Sequence, residues 1–124
     1  MTMAAACILL VEDEFLIRMA VGDSFRDAGF EVVEAFNGDE AIDVLMAGKP
    51  IDVILSDVHM PGSVDGIGLL RFVRANFPHI PTIIASGRLE SRVALAEGAI
   101  AFLSKPYLIT TALEIVANQL ERRP

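Results

Sequence analysis

Residues 7–14 read CILLVEDE, and the architecture of the chain can be worked out from this stretch. An apolar run without polar alternation is typical of a β-strand that is covered on both faces, as in a parallel sheet. The acidic residues Glu12, Asp13 and Glu14 follow at once and begin a helical pattern. The stretch therefore predicts a buried strand whose carboxyl end opens onto a group of carboxylates.

The same unit, a short apolar run followed by a helical pattern, recurs five times along the chain. On the first helical pattern Ile17, Val21, Phe25 and Ala28 recur at spacings of three and four, which indicates one buried helix face. The alternation predicts an α/β fold, with a doubly wound five-stranded parallel sheet, helices on both faces and right-handed crossovers. The predicted strands are 7–11, 31–35, 53–56, 82–85 and 101–104, and the predicted helices are 14–28, 38–47, 66–76, 89–96 and 108–122.

Length and composition fit one folded domain. A chain of 124 residues leaves no room for a second folded unit, and 53% hydrophobic residues support a buried core. The formal net charge is −7, with 13 acidic against 3 basic residues in the segment 1–65. Such a chain is a poor counterion for phosphate polymers, so we expect no nucleic-acid partner.

The sequence carries no sign of secretion or of a membrane span. No basic segment precedes the apolar run at 4–11, and no run approaches the roughly 20 residues that a transmembrane helix needs. The single cysteine, Cys7, excludes an internal disulfide framework, and we expect it to be buried. These features predict a cytoplasmic protein with no membrane partner.

Polar side chains follow four of the five predicted strands. In a parallel sheet the carboxyl ends of the strands meet at one edge, where functional groups gather. The sequence therefore predicts three carboxylates, a hydroxyl and an ammonium group at this edge, from Glu12, Asp13, Asp57, Ser86 and Lys105.

Three carboxylates in one pocket repel each other, by about 4 kcal/mol for each pair at ~4 Å and an effective dielectric constant near 20. A hard divalent cation with oxygen ligands, Mg²⁺ above all, would neutralise them, and Lys105 supplies a second positive group. A carboxylate beside Mg²⁺ and a lysine is also a plausible nucleophile toward phosphorus, because both cations offset the charge of an approaching phosphoryl group.

At these residues, and over its whole length, the chain resembles the receiver domain of two-component response regulators. The resemblance rests on LVEDE at 10–14, on ILSDVHMPG at 54–62 followed by Asp65-Gly66, and on Ser86 and Phe102 ahead of Lys105-Pro106. It implies a flavodoxin-like sheet of strand order 2-1-3-4-5. It also implies that residues 1–124 form a receiver domain, and the end of the chain after the fifth helix favours a stand-alone module with no output domain.

The resemblance assigns a role to each acidic residue. Asp57 would accept a phosphoryl group from a sensor histidine kinase or a histidine phosphotransfer protein. Asp13 and Asp57 would bind Mg²⁺ directly, Glu12 would bind it through a water molecule, and the backbone carbonyl of His59 would complete the protein ligands.

The remaining positions would form a switch. Lys105 would pair with one phosphoryl oxygen, Ser86 would hydrogen-bond another, and Phe102 would rotate toward the space that Ser86 leaves. The result would be a signalling module rather than an enzyme, limited to phosphorylation and dephosphorylation of itself, in a two-component system or phosphorelay.

Three features depart from the family pattern. Glu12 stands where Asp is commoner, and the stretch 62–64 before Asp65 is one residue longer than usual. The segment between Ser86 and Lys105 is short, so we expect a short or irregular fourth helix.

Other functions stay open at this point. A degenerate receiver could serve only as a protein-binding scaffold. An aspartyl-phosphate phosphatase of the haloacid dehalogenase type needs a second acid two residues after its nucleophile, where this chain has His59. A flavodoxin-like cofactor carrier needs a phosphate cradle after strand one, where Glu12 and Asp13 would repel phosphate. Phe15 and Met19 are either partly buried or form an exposed apolar edge on which a kinase docks in this family.

Overall fold

Five parallel strands form the centre of the structure, a computed structural model that describes residues 5–88 and 91–121. The strands are β1 (Cys7–Val11), β2 (Glu31–Ala35), β3 (Val53–Asp57), β4 (Thr82–Ser86) and β5 (Ala101–Ser104). Their order in the sheet is β2-β1-β3-β4-β5, which confirms the predicted fold class. The helices are α1 (Phe15–Asp27), α2 (Gly38–Met46), α3 (Gly66–Asn76), α4 (Ser91–Ala96) and α5 (Ile109–Glu121).

The unbroken apolar run of β1 is explained by burial on both faces of the sheet. Leu9 and Val11 belong to a core that α2 and α3 cover, whereas Ile8 and Leu10 belong to a second core on the α1 and α5 side. All five residues of β1, including Cys7, are buried. Side chains alternate across a strand, so only a sheet with helices on both faces can bury consecutive apolar residues.

Side chains cap the starts of α2 and α3. Asn37 Oδ1 accepts a hydrogen bond from the Glu40 N–H at 2.8 Å, and Asp65 Oδ1 accepts one from the Gly68 N–H at 2.8 Å. The predicted bounds of α3 are confirmed at both ends. Helix α1 begins one residue later than predicted, and Ala28, assigned to its buried face, is exposed because the helix ends before it.

Strands β3 and β4 each extend one residue beyond their predicted ends. Asp57 and Ser86 are therefore the last residues of their strands rather than the first residues of the loops. Their backbones stay in the sheet because the ladder continues, with Asp57 opposite Ala85 and Ser86 opposite Ser104. Rigid strand ends thus carry both side chains.

Helix α4 is short, as predicted, with six residues. Its predicted start at Leu89 lies outside the described residues, as does the predicted end of α5 at Arg122. The segment that follows α4 is attached to α3, because Arg71 donates two hydrogen bonds to the Glu97 carboxylate, at 2.9 and 2.6 Å.

Within the described part of the chain, none of the helices could span a bilayer. The longest, α1 and α5, have 13 residues each, against the roughly 20 that a span requires.

The first turn of α3 is pressed onto the end of β3. The Gly66 N–H donates to the Val58 carbonyl oxygen at 2.8 Å. A Cβ atom at Gly66 would overlap the Asp57 carbonyl oxygen and would lie 2.7 Å from Val58 Cα. Glycine at this position therefore allows the helix to approach the strand end that carries Asp57.

We expect Gly66→Ala to lower the free energy of unfolding by about 1–3 kcal/mol, because backbone atoms must move to admit the methyl group. The matched control is Gly68→Ala in the same helical turn, where the new Cβ would lie 3.3 Å from a Val64 methyl carbon. Its stability should stay unchanged or rise by up to about 1 kcal/mol through helix propensity. Urea unfolding followed by circular dichroism measures both, and equal stabilities would contradict the close approach.

Candidate functional site

The acidic residues predicted from the sequence meet at the carboxyl edge of the sheet, where β1 and β3 end. One carboxylate oxygen from each of Glu12, Asp13 and Asp57 lies within 4.8 Å of the other two. Glu12 is buried, Asp57 is half-buried and Asp13 is exposed. The parallel register, which pairs Val11 with Ser56, brings these side chains together from positions more than forty residues apart.

Lys105 supplies the positive charge of this cluster. Its Nζ donates to Glu12 Oε1 at 2.5 Å and to Asp57 Oδ2 at 3.1 Å. Its backbone N–H donates to the Ser86 carbonyl oxygen at 3.1 Å, which ties the residue to the end of β4. One ammonium group therefore faces three carboxylates, and the site keeps an excess of negative charge.

Burial and pairing shift the pKa values of two of these groups. Burial raises the pKa of Glu12, and hydrogen bonds from Lys105 and the Glu14 N–H offset this only in part. Burial alone would lower the pKa of Lys105, but its hydrogen bonds to Glu12 and Asp57 outweigh that effect and raise it. The lysine is therefore held charged, while ionising Glu12 costs free energy.

Both oxygens of Asp57 have partners. Oδ1 accepts a hydrogen bond from the Val58 N–H at 2.8 Å, and Oδ2 accepts the one from Lys105. Val58 directly follows Asp57, and its buried side chain fixes the position of this N–H donor. The carboxylate is thus held in one orientation, with only 12% of its side chain exposed.

Ser86 lies at the end of the neighbouring strand, with its side chain buried. Its Oγ accepts a hydrogen bond from the Arg88 N–H at 3.1 Å. The hydroxyl therefore takes part in the turn that leaves β4.

Phe102 and His59, the other two residues that the sequence analysis singled out, contribute no side chain to the group of carboxylates. Phe102 is opposite Ile84 in the sheet and packs, half-buried, against a core cluster that includes Ile84 and Ala94 of α4. The His59 side chain is exposed, in the loop that follows Asp57. The structure thus brings Lys105 and the three acids together and places Phe102 beneath α4.

Arg18 is a contributor that the sequence analysis missed. Its Nη1 donates to the Glu12 carbonyl oxygen at 2.8 Å, and its Nε donates to Glu34 Oε1 at 3.2 Å. Arg18 thereby braces the loop that carries Glu12 and Asp13 against β2. A basic residue one turn into a helix that follows two acids was the available signal, but its partner on β2 could not be foreseen.

Comparison with known proteins identifies the family. The sequence model of the response regulator receiver domain matches residues 8–117. This chain belongs to the receiver domain family. Receivers are phosphoacceptor signalling modules of two-component systems rather than catalytic enzymes, and the cluster of Glu12, Asp13 and Asp57 matches the phosphoacceptor site of the family.

Curated relatives contain a similar receiver within longer chains. The response regulator protein FleR of Pseudomonas aeruginosa is 37% identical over 117 residues, which are 92% of this chain and 24% of FleR. The sensor kinase CckA of Brucella abortus is 36% identical over 123 residues, which are 96% of this chain and 13% of CckA. The chain thus spans a quarter or less of these two relatives.

Solved receiver structures share the fold over nearly the whole chain. The NtrX receiver of Brucella abortus is 29% identical with a TM-score of 0.85, covering 94% of this chain and 99% of that one. The chemotaxis protein CheY4 of Vibrio cholerae is 31% identical with a TM-score of 0.82, covering 93% and 98%. The predicted flavodoxin-like receiver fold is confirmed.

The raised pKa of Glu12 predicts a pH dependence of stability. Between the ordinary value of 4.5 and its raised value, the folded receiver binds more protons at Glu12 than the unfolded chain does, so stability falls as pH rises through this window. Within this pH window, the free energy of unfolding of the wild type should fall, relative to that of Glu12→Gln, by up to about 1.4 kcal/mol for each pH unit. Urea unfolding in EDTA from pH 4.5 upward tests this, and a constant difference between the two proteins would contradict it.

Proposed function

We propose that this receiver accepts a phosphoryl group on Asp57 from a histidine kinase or histidine phosphotransfer protein, and that the acyl phosphate switches a partner-binding surface. The observation that carries the proposal is the group of three carboxylate oxygens within 4.8 Å of one another, with Lys105 bonded to two of the three side chains. A degenerate scaffold would not need this combination of repelling acids and a shared lysine.

The donor set fits Mg²⁺. All three candidate side chains offer hard oxygen atoms, which this ion prefers, and their excess negative charge calls for a cation. Asp13 and Asp57 would hold the ion directly, Glu12 through water, and the His59 carbonyl would be the remaining protein ligand. When bound, Mg²⁺ would supply positive charge that offsets the phosphoryl oxygens.

Asp57 is the nucleophile in the proposed transfer. One of its oxygens forms a bond to the phosphorus of a phosphohistidine while the N–P bond breaks, and the electron pair of that bond leaves with the imidazole. The Val58 N–H and the Lys105 ammonium hold the carboxylate in place before the reaction. Lys105 can then pair with a phosphoryl oxygen at the position where it already contacts Asp57.

Ser86 and Phe102 would carry the change outward. The Ser86 Oγ accepts from the Arg88 N–H, and as a hydroxyl it can also donate its proton to a phosphoryl oxygen. Movement of the Ser86 turn would alter the packing of Phe102 against Ala94, so that α4 and β5 would form the responsive surface.

Exposed apolar residues on α1 offer the docking surface for the phosphoryl donor. Phe15, Leu16 and Met19 are 61%, 68% and 41% exposed, on the helix that begins directly after the acidic loop. Of the two alternatives for Phe15 and Met19, partial burial or an exposed apolar edge, the structure has the exposed edge. Such a surface fits the helical bundle of a histidine kinase in this family.

The first test is phosphorylation by a small donor. With acetyl phosphate and Mg²⁺, intact mass should show the gain of one phosphoryl group, which Asp57→Asn and removal of the metal by EDTA should both abolish. Asp27→Asn, at an exposed acid that ends α1, is the control that should still gain it. A folded wild type that gains no mass would favour the scaffold, and steady hydrolysis of many phosphomonoesters would favour the phosphatase.

Lys105→Ala separates metal binding from the switch. Removing the ammonium leaves the three carboxylates, so we expect Mg²⁺ binding to be kept, while the phosphorylation-dependent shifts of the Ser86 and Phe102 amide signals are lost. Lys49→Ala, which changes the other lysine of the chain, is the control. Unchanged shifts in Lys105→Ala, measured by ¹H–¹⁵N NMR, would remove Lys105 from its proposed role.

A further inference from the structure

The loop between β3 and α3, residues 58–65, includes His59. Its two ends are fixed close to the site. The Val58 N–H donates to Asp57 Oδ1 at 2.8 Å, and Asp65 caps α3 through Asp65 Oδ1. Between these ends, Met60 and Val64 pack against the core on the α2 and α3 side, and Ser63 is exposed between them.

A polar contact to Asp39, in the first turn of α2, holds Ser63. Asp39 Oδ1 accepts a hydrogen bond from the Ser63 hydroxyl at 2.5 Å, and Oδ2 accepts one from the Ser63 N–H at 3.0 Å. Within the described residues, the hydrogen bonds from the middle of the loop to another element all end on this carboxylate. A single side chain of α2 therefore accepts from both hydrogen-bond donors of Ser63.

The turn of the loop is fitted to the same carboxylate. Gly62 has φ of 99°, in the left-handed region that favours glycine, and a Cβ there would lie 2.5 Å from Asp39 Oδ2. Hydrogen bonds from the Ser63 hydroxyl, and then from the Ser63 N–H, hold the pKa of Asp39 below its ordinary value. Asp39 is thus an ionised acceptor at the turn of the loop.

We propose that Asp39 is a positioning residue for the metal site, which holds the 58–65 loop so that the His59 carbonyl can serve as a ligand. This inference rests on the proposed function, because it concerns the ion that the three acids would bind. Residues that orient a ligand from outside the coordination sphere commonly change metal affinity by about 10-fold to 100-fold. Asp39 would orient the ligand from α2, whereas the acids lie at the ends of β1 and β3.

The probe is Mn²⁺. Its electron paramagnetic resonance signal measures the concentration of free ion, from which the bound fraction follows. We expect Asp39→Ala to weaken binding about tenfold. Ser63→Ala keeps every charge but removes the hydroxyl donor, and should weaken binding about threefold. The control Asp43→Ala removes an equal charge from an exposed position one turn further along α2 and should bind like the wild type.

A second measurement separates positioning from general damage. With acetyl phosphate, Asp39→Ala should need about tenfold more Mg²⁺ to reach half its maximal rate, yet should reach the wild-type rate at saturating Mg²⁺. If Ser63→Ala and Asp39→Ala both bind Mn²⁺ as the wild type does, the inference is wrong and the proposed function stands. If the folded wild type binds no Mn²⁺, both the inference about Asp39 and the proposed function are wrong.

Discussion

The structure depends on a concentration of negative charge that one lysine only partly neutralises. Lys105 Nζ bonds to Glu12 and Asp57, and Asp13 adds a third carboxylate to the same edge. Like charges about 5 Å apart repel by roughly 3 kcal/mol at an effective dielectric constant near 20. The fold therefore holds a site that is electrostatically incomplete by itself, which is the property that would let a cation and a phosphoryl group be bound there.

Rigid strands make this arrangement tolerable. Glu12, Asp57 and Ser86 lie at or directly after the ends of buried parallel strands, whose register sets the distances between them. A loop would relieve the repulsion by moving apart, whereas a strand end held by the sheet and by two apolar cores cannot. Gly66 contributes by letting α3 close directly on the end of β3. Core packing thus opposes the repulsion at the site.

The surroundings of the site are held by contacts between elements that are distant in sequence. Arg18 braces the acidic loop against Glu34 of β2, and Asp39 of α2 binds Ser63 in the loop after Asp57. Where α4 leads into β5, Arg71 of α3 holds Glu97. The first two contacts hold the loops after β1 and after β3, which carry the acidic residues and His59.

The amino-acid sequence alone determined the alternation of strands and helices. Burial on both faces leaves an unbroken apolar run such as 8–11, and a buried helix face leaves apolar residues at spacings of three and four, as at Ile17, Val21 and Phe25. It also indicated which residues meet, since parallel strands share their carboxyl edge. Only the tertiary structure decided that Glu12 is the buried acid bonded to Lys105, and that Asp39 holds Ser63. Such pairings depend on side-chain orientation and on the distances between packed elements, which local sequence patterns do not encode.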